Sequence, residues 1–374
     1  MVEELSRPFD LAVVGAGMTG AAAAMLARLD APDARILVLE QARAGSGASL
    51  YSAGLDVPWA RDPVRRRLME ESGALWPRLR RAVRLPIRPL RCFAVEPEGE
   101  VQAALDGLCD AARPATSAER AALAEAVPAL ALGSGRHVLS VAGARRGIAG
   151  RVAARLARAA TSAAGSALWE GTRVDAVEPG EDGYGVALAD GRRVRARHVL
   201  VATGPWLGGP AAEASRAAGV RVKKVAALHL DCAPPPDAPA VLFNADDAFL
   251  LPLRERRQWL FSFTSREWDC EPDPGRLHID AADRELALEI LARVAPGLVD
   301  RAGGGRVFCD AYAPDRLPLM GECAPGFVVA GACAGSGFRL APGIAAEALR
   351  RLGMPEMMLP EIDLEVPWPM PHLA

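Results

Sequence analysis

Lysine is almost missing from this chain. Its 374 residues carry 44 basic side chains, and only Lys223 and Lys224 among them are lysines. Chemistry that needs an amine side chain is therefore confined to one place. Histidine is also scarce, and the five present are dispersed without ligand spacing, so no metal site is expected. The seven cysteines form no CxxC pair and are odd in number, which argues against a disulfide framework. With no secretory signal at the start, free thiols in a reducing cytoplasm are the expectation. No apolar run has the length of a membrane span. A formal net charge of −2 argues against a nucleic-acid or anionic-membrane partner. What remains, at 51% hydrophobic and 24% charged, is the composition of a globular enzyme large enough for two domains.

The N-terminal region is the most informative. Asp10–Val14 reads as a buried strand running into Gly15-Ala16-Gly17-Met18-Thr19-Gly20, then an alanine-rich helix to Leu29, then a second apolar strand, Ile36–Leu39, ending in Glu40 and Gln41. This is the dinucleotide-binding unit in its required context. Gly15 permits the tight turn, Gly17 lets a pyrophosphate approach the backbone, and Gly20 lets the helix lie close on the strand. The helix N-terminus supplies unpaired N–H groups for the phosphates, and Glu40 suits a ribose diol.

Further along, Gly45–Ser49 is a small-residue loop, and Arg61–Leu79 has the apolar spacing of an amphipathic helix. The stretch from Arg91 to Val141 is less regular, with short helices expected at 103–108 and 119–126. A better helix is expected at 148–160. Turns at Glu181-Asp182-Gly183 and Asp190-Gly191 divide three strands at 173–178, 184–188 and 194–201, the last leading into Ala202-Thr203-Gly204. Strands at 220–231, 248–252 and 259–264 suggest a second sheet, followed by a helix at 281–294. Near the end, Phe327–Gly331 reads as a buried strand feeding Gly335-Ser336-Gly337 and a helix from about residue 341 to 352. The first eight residues look like a frayed terminus, and the proline- and methionine-rich segment after Pro355 like a surface wrap.

Four blocks together resemble the D-amino-acid-oxidase-like flavoproteins, a superfamily that includes glycine and sarcosine oxidases. They are the first glycine turn with Glu40, Gly47-Ala48-Ser49, Ala202-Thr203-Gly204, and a C-terminal part containing Ala313–Pro318, Gly331-Ala332-Cys333 and Gly335-Ser336-Gly337-Phe338-Arg339. The resemblance implies FAD, and an α/β fold with a Rossmann-like FAD domain on a central parallel sheet plus an α+β substrate domain on an antiparallel sheet. It also implies a chain that leaves and re-enters the nucleotide domain. The FAD domain is expected from residues 1–85, 142–215 and 305–374, and the substrate domain from 86–141 and 216–304.

By the same resemblance, Gly15, Gly17, Met18, Thr19 and Gly20 hold the pyrophosphate, Glu40 and Gln41 the adenosine ribose, and Val174 the adenine through its backbone. Ala48 and Ser49 lie along the flavin and pyrophosphate, with Thr203 and Gly204 nearby. Gly335 and Gly337–Leu340, at a helix N-terminus, face the flavin's pyrimidine end, where Phe338 walls the pocket. The reaction implied is dehydrogenation of a C–N bond in a small amine, amino acid or imino acid, by hydride transfer to the flavin, with O2 or another carrier accepting the electrons. Oxidation of a C–O bond, or service as the FAD subunit of a larger dehydrogenase, are the alternatives.

For the substrate, Arg339 is the candidate carboxylate ligand, since a guanidinium matches a carboxylate bidentately. Arg61, and less so Arg65, occupy positions where sarcosine-type relatives carry active-site arginines. Asp310 departs from the glycine-oxidase pattern, which has an arginine there; an acid cannot grip an α-carboxylate, so it forms either a structural ion pair or a contact to a cation or hydroxyl. Tyr312 is expected to line the pocket, and His229 to contact substrate or sit satisfied in the core. Cys309 is read as a buried free thiol. Trp259–Phe263, the region corresponding to a lysine that activates oxygen in some relatives, contains none, which suggests slow reaction with O2.

Overall fold

The computed structural model describes residues 7–133 and 135–354. Most of the expected frayed N-terminus and all of the expected C-terminal wrap lie outside these residues. Five parallel strands form the centre of the first sheet, in the spatial order Ala167–Trp169, Ile36–Leu39, Phe9–Val14, Arg193–Val201, Phe327–Gly331. Their pairing is in register, with Leu11 opposite both Ile36 and His198. The strands at 9–14, 36–39 and 327–331 are apolar runs because helices or other strands cover both faces. Strands Val174–Gly180 and Gly183–Leu188 form the antiparallel meander read from the turns, and Leu319–Ala324 pairs antiparallel to Phe327–Gly331.

Helix Met18–Asp30 is packed between Ala149–Ala160 and Gly337–Arg351. Its row of alanines, all fully buried, lets the helices come together without large side chains between them. Pro63–Ala82 packs on Gly337–Arg351. Asp62 caps that helix by accepting from Arg65 N at 2.7 Å, and Pro63 occupies its first turn, where no N–H is needed.

The second sheet has eight strands in the order Ala302–Tyr312, Arg221–Leu230, Gln258–Phe263, Ala248–Leu253, Ala240–Phe243, Cys92–Pro97, Arg136–Val141, Ala112–Pro114. All pairings are antiparallel except that of Ala240–Phe243 with Cys92–Pro97. One face is covered by Ala281–Val294, and the other looks across a cavity toward the first sheet. The expected division at residue 305 falls inside the strand Ala302–Tyr312, which runs along Arg221–Leu230. The stretch 91–141, which lacked a clear period, supplies three strands of this sheet. A small third sheet joins Leu55–Asp56, Arg145–Gly147 and Ile87–Pro89.

Candidate functional site

A cavity of about 1240 Å³ lies between the two large sheets. It exceeds the ~300–1,000 Å³ of ordinary small-molecule pockets, and its lining runs from Glu40 through Gly15, Gly17 and Thr203 to Gly335, Gly337 and Arg339.

The nucleotide end is built mostly from backbone. Gly15 has φ +101°, and a Cβ there would lie 2.4 Å from the carbonyl oxygen of Ala202. A Cβ on Gly20 would meet the Gly15 oxygen at 2.0 Å, so this glycine sets the approach of helix to strand and stands behind the cavity wall. Gly17 is different. The nearest atom to a Cβ there is Ser49 Oγ at 3.5 Å, so its missing side chain leaves room on the cavity side. Ser49 accepts from Met18 N at 3.1 Å, tying the Ala48–Tyr51 helix to the turn. The N–H groups of Thr19 and Gly20 precede the first intrahelical bond, from Ala21 N to Gly17 O, and are free of helical partners.

Glu40 accepts from Ala16 N and Ala42 N, each at 2.9 Å. Burial raises its carboxyl above the ordinary value, against those hydrogen bonds, and Glu170 adds to the rise. Gln41, Val174, Ala48, Thr203 and Gly204 also line the cavity, and Thr203 Oγ1 donates to Trp206 O at 2.8 Å.

At the opposite end a second helix points its N-terminus into the same space. The Gly337–Arg351 helix begins four residues before the expected 341, and its first intrahelical bond runs from Leu340 N to Ser336 O at 3.0 Å. The N–H groups of Gly337, Phe338 and Arg339 therefore have no helical acceptor. The turn before it is tightly wound, with Ala332 at φ +50°, Ala334 at +49° and Gly335 at +76°. Two alanines in the left-handed region need outside support, of order 1 kcal/mol or more each.

Asp310 gives that support. Its carboxylate accepts from Ala311 N at 2.9 Å and from Gly335 N at 2.8 Å. Its carboxyl is raised by burial, moderated by these two bonds. Of the two expected uses of this acid, the ion pair is not what its oxygens make; they clamp the glycine-rich turn, and the residue also lines the cavity. Tyr312, two residues on, lines the cavity beside it, and a Cβ on Gly335 would be 3.5 Å from the tyrosine hydroxyl.

Arg339 reaches the cavity with one donor committed, Nη2 to Ser336 Oγ at 2.8 Å, while its enclosed Nε has no partner. Burial lowers its pKa to about 10, with Arg65 adding repulsion and Asp56 opposing it. Asp56 is itself held by Arg145 at 2.9 Å. Arg65 also lines the cavity and donates to the Arg316 carbonyl, and burial lowers its pKa. Arg61 lies at the rim, exposed, with its guanidinium 5.1 Å from the Trp59 ring centroid.

Two expected site residues stand elsewhere. His229 is outside the cavity lining, with an enclosed Nε2 and a pKa lowered by burial and by Arg306 and Arg256. Leu340 is wholly buried in the core among the helices, because one turn into a helix the side chain faces the packing side. Phe338 does border the cavity, and its ring, 5.4 Å from Trp76 and packed over Gly147, also joins that core. Cys309 is buried with its thiol pushed up to about 12 by burial.

Two lining residues, Phe308 and Lys223, were not among the expected site residues. Phe308 stacks on Tyr51 at 4.6 Å and lies 5.8 Å from Trp206, closing the middle of the cavity with aromatic surface. Lys223 lines the cavity from the strand Arg221–Leu230, next to Gln258–Phe263. Absence of a lysine from 259–263 therefore says nothing about lysine in the site, and the argument for slow reaction with O2 falls. Alternation along 221–230 was the available signal for Lys223, but which lysine of the pair faces inward needs the sheet's partners.

The donor set fits an adenine dinucleotide bearing a flavin. Two helix N-termini with uncommitted N–H groups face one elongated cavity, a carboxylate stands at the end of the second parallel strand, and glycine replaces side chains where close approach is needed. Among the described residues, no group of histidine, cysteine, aspartate and glutamate could hold a metal ion, and no helix is long and apolar enough to cross a membrane.

Comparison with known proteins agrees with this geometry. Residues 10–351 match the model of the FAD dependent oxidoreductase family of D-amino-acid-oxidase type. Glycine oxidase from Geobacillus kaustophilus is similar in structure, with a TM-score of 0.72 at 21% identity over 92% of this chain and 95% of that one. L-proline dehydrogenase from P. horikoshii gives 0.77 at 18% identity over 95% and 96%. Iminodiacetate oxidase from Chelativorans sp. BNC1 gives 0.72 at 23% identity over 96% and 97%. No protein of curated function matches the sequence. The chain belongs to the D-amino-acid-oxidase-type family of FAD-dependent oxidoreductases, and its cofactor is FAD.

Proposed function

We propose that this enzyme dehydrogenates the C–N bond of a small amine that carries a carboxylate, an amino acid or imino acid. The observation that carries this is Arg339, a guanidinium in the cavity wall at the glycine-rich turn, with donors uncommitted and Arg65 beside it. A carboxylate there would gain two parallel charge-assisted bonds and relieve the repulsion between the two arginines.

When bound, FAD supplies the two-electron acceptor for the hydride that leaves the substrate's α-carbon. The chain's own residues prepare that loss. Arg339 fixes the carboxylate and so orients the neighbouring C–H bond. The cations around the cavity, Arg65, Arg316 and Lys223, disfavour an ammonium and favour the neutral amine, whose lone pair forms the C=N bond as the hydride departs. The amine proton passes to water, and the imine hydrolyses to carbonyl and amine after release. Tyr51, Phe308 and Trp206 keep the middle of the cavity apolar. Glycine oxidase, L-proline dehydrogenase and iminodiacetate oxidase among the structural relatives accord with this substrate class.

The test is Arg339→Met in the FAD-loaded enzyme. Apparent affinity for a carboxylate-bearing amine should fall about 30-fold or more, as for loss of one partner from a buried charge pair, while FAD stays bound. Unchanged affinity would remove Arg339 from the substrate site.

A further inference from the structure

The two lysines are adjacent in sequence and equally buried, at 5% and 3% exposure, yet their surroundings differ. Lys224 points toward the start of the Ala281–Val294 helix, where its ammonium meets Glu267, Asp280 at 3.0 Å and Asp283 at 2.7 Å. Burial opposes its charge, but three carboxylates outweigh that and raise its pKa. Both lysines border the cavity, but the Lys223 side chain alternates to the opposite face of the strand, that of its ladder partner Asp310, and among the described residues no carboxylate is within ion-pair distance of it. Its ammonium instead lies 5.0 Å from the Trp268 ring centroid and 5.7 Å from that of Tyr312, with the two rings at 72°.

Aromatic faces hold an ammonium in place but do not neutralise it. The acid opposite Lys223 in the ladder, Asp310, is committed to two backbone amides. Burial and Arg316 both lower the Lys223 pKa, and Asp247, which itself accepts from Thr264, only partly offsets them. A buried cation with aromatic walls, no carboxylate within ion-pair distance and an open cavity in front of it is arranged for an incoming anion. Its position is also defined. Tyr312 flanks Lys223 and places its hydroxyl beside the Gly335 turn, from which the helix bearing Arg339 starts. Arg316 couples to both Lys223 and Arg65, so the cations follow one another along a single cavity.

The geometry points to a second anion-binding position at Lys223, and therefore to a substrate with two carboxylates: an amine flanked by acids, one held at Arg339 and the other between Trp268 and Tyr312. This rests on the carboxylate reading of Arg339. A monocarboxylic amine would leave Lys223 buried and uncompensated in the complex, whereas a diacid neutralises it. The chemistry at the α-carbon is unchanged; the second carboxylate adds affinity and selects the substrate.

The test uses the oxidised FAD-loaded enzyme and two non-oxidisable probes, thiodiacetate and (methylthio)acetate, followed by the perturbation of the visible flavin spectrum. The diacid should bind about tenfold or more tighter, as for one charge-assisted contact. Lys223→Met should bring the ratio of the two affinities close to one, and Lys223→Arg should restore most of it. Methionine has similar length and no charge to bury, and flavin content reports whether the variant folds. Equal wild-type affinities are decisive against the assignment without any variant. Equal affinities in the wild type, or a preference for the diacid that survives Lys223→Met, overturn the assignment and leave Arg339 untouched. If neither probe perturbs the flavin, the carboxylate reading of Arg339 falls with it.

Discussion

The two ends of the cavity are made in different ways. At the nucleotide end the surface is mainly backbone: glycine turns, helix N-termini and one carboxylate at a strand end. At the substrate end it is mainly side chain, with Lys223, Tyr312, Phe308 and Arg339 meeting from strands and a helix far apart in sequence. Backbone recognition depends on local conformation, so it leaves a spacing pattern of glycines. Side-chain recognition depends on which strand faces come together, and that is a property of the assembled sheet. Gly15 and Gly20 at the nucleotide end accordingly tolerate no added atom, whereas the substrate end depends on which side chains its strands present.

The largest effect should come from the backbone end. Gly20→Val would drive its Cβ into the Gly15 carbonyl, and backbone cannot yield there as a flexible side chain could. Overpacking of this kind costs about 1–3 kcal/mol or more, and the protein should be recovered without FAD, as flavin absorbance per mole of chain will show. Full FAD content would break the distinction between the two ends. Arg339→Met, described above, should act oppositely, with flavin retained and substrate affinity lost.

Asp310→Ala tests the junction between the two ends. It removes two bonds to a charged acceptor, each worth about 1.5–3 kcal/mol, from a turn that holds two left-handed alanines. Thermal stability and FAD content should both fall, more than for Asp310→Asn, which keeps one acceptor oxygen. A variant with only a changed KM would mean that Asp310 serves the substrate rather than the turn.

The smallest effect is in pH. Lys223 has its pKa lowered from 10.5, chiefly by burial and then by Arg316, with Asp247 opposing; Tyr312 is the other titratable group against it, and its own pKa is raised by burial. The ammonium is the form that binds an anion, so the thiodiacetate preference should be present at neutral pH and disappear as pH rises through the lowered pKa, before 10.5. The ratio to (methylthio)acetate isolates this from Arg339, whose pKa is also lowered, to about 10. A ratio independent of pH up to 10.5 would argue against a titrating lysine at that position.

These contrasts parallel what was legible in the sequence. The strand–glycine turn–helix–strand–acid unit at 9–40 is local, and its elements lie where the pattern puts them. The antiparallel meander at 174–201 was marked by its turns. The strands at 92–97, 136–141 and 302–312 were not, because they are short, interrupted by proline or rich in glycine, and are held by partners distant in sequence, Cys92 by Ala240 for example. Phe338 and Leu340 sit beside a glycine motif yet face the core, since the helix begins at Gly337 and its rotation decides which side chains turn inward. Asp310 was visible as a departure from a pattern, but its role depends on Gly335, 25 residues later.

The most direct test of the central claim is anaerobic reduction of the bound flavin. Purified enzyme would be mixed, without oxygen, with matched amines and hydroxy acids, including glycine, sarcosine, proline and iminodiacetate beside glycolate and lactate. Loss of the visible flavin colour with an amine, and none with the matched hydroxy acids, is the predicted result. Bleaching by a hydroxy acid while every carboxylate-bearing amine leaves the colour intact would contradict it.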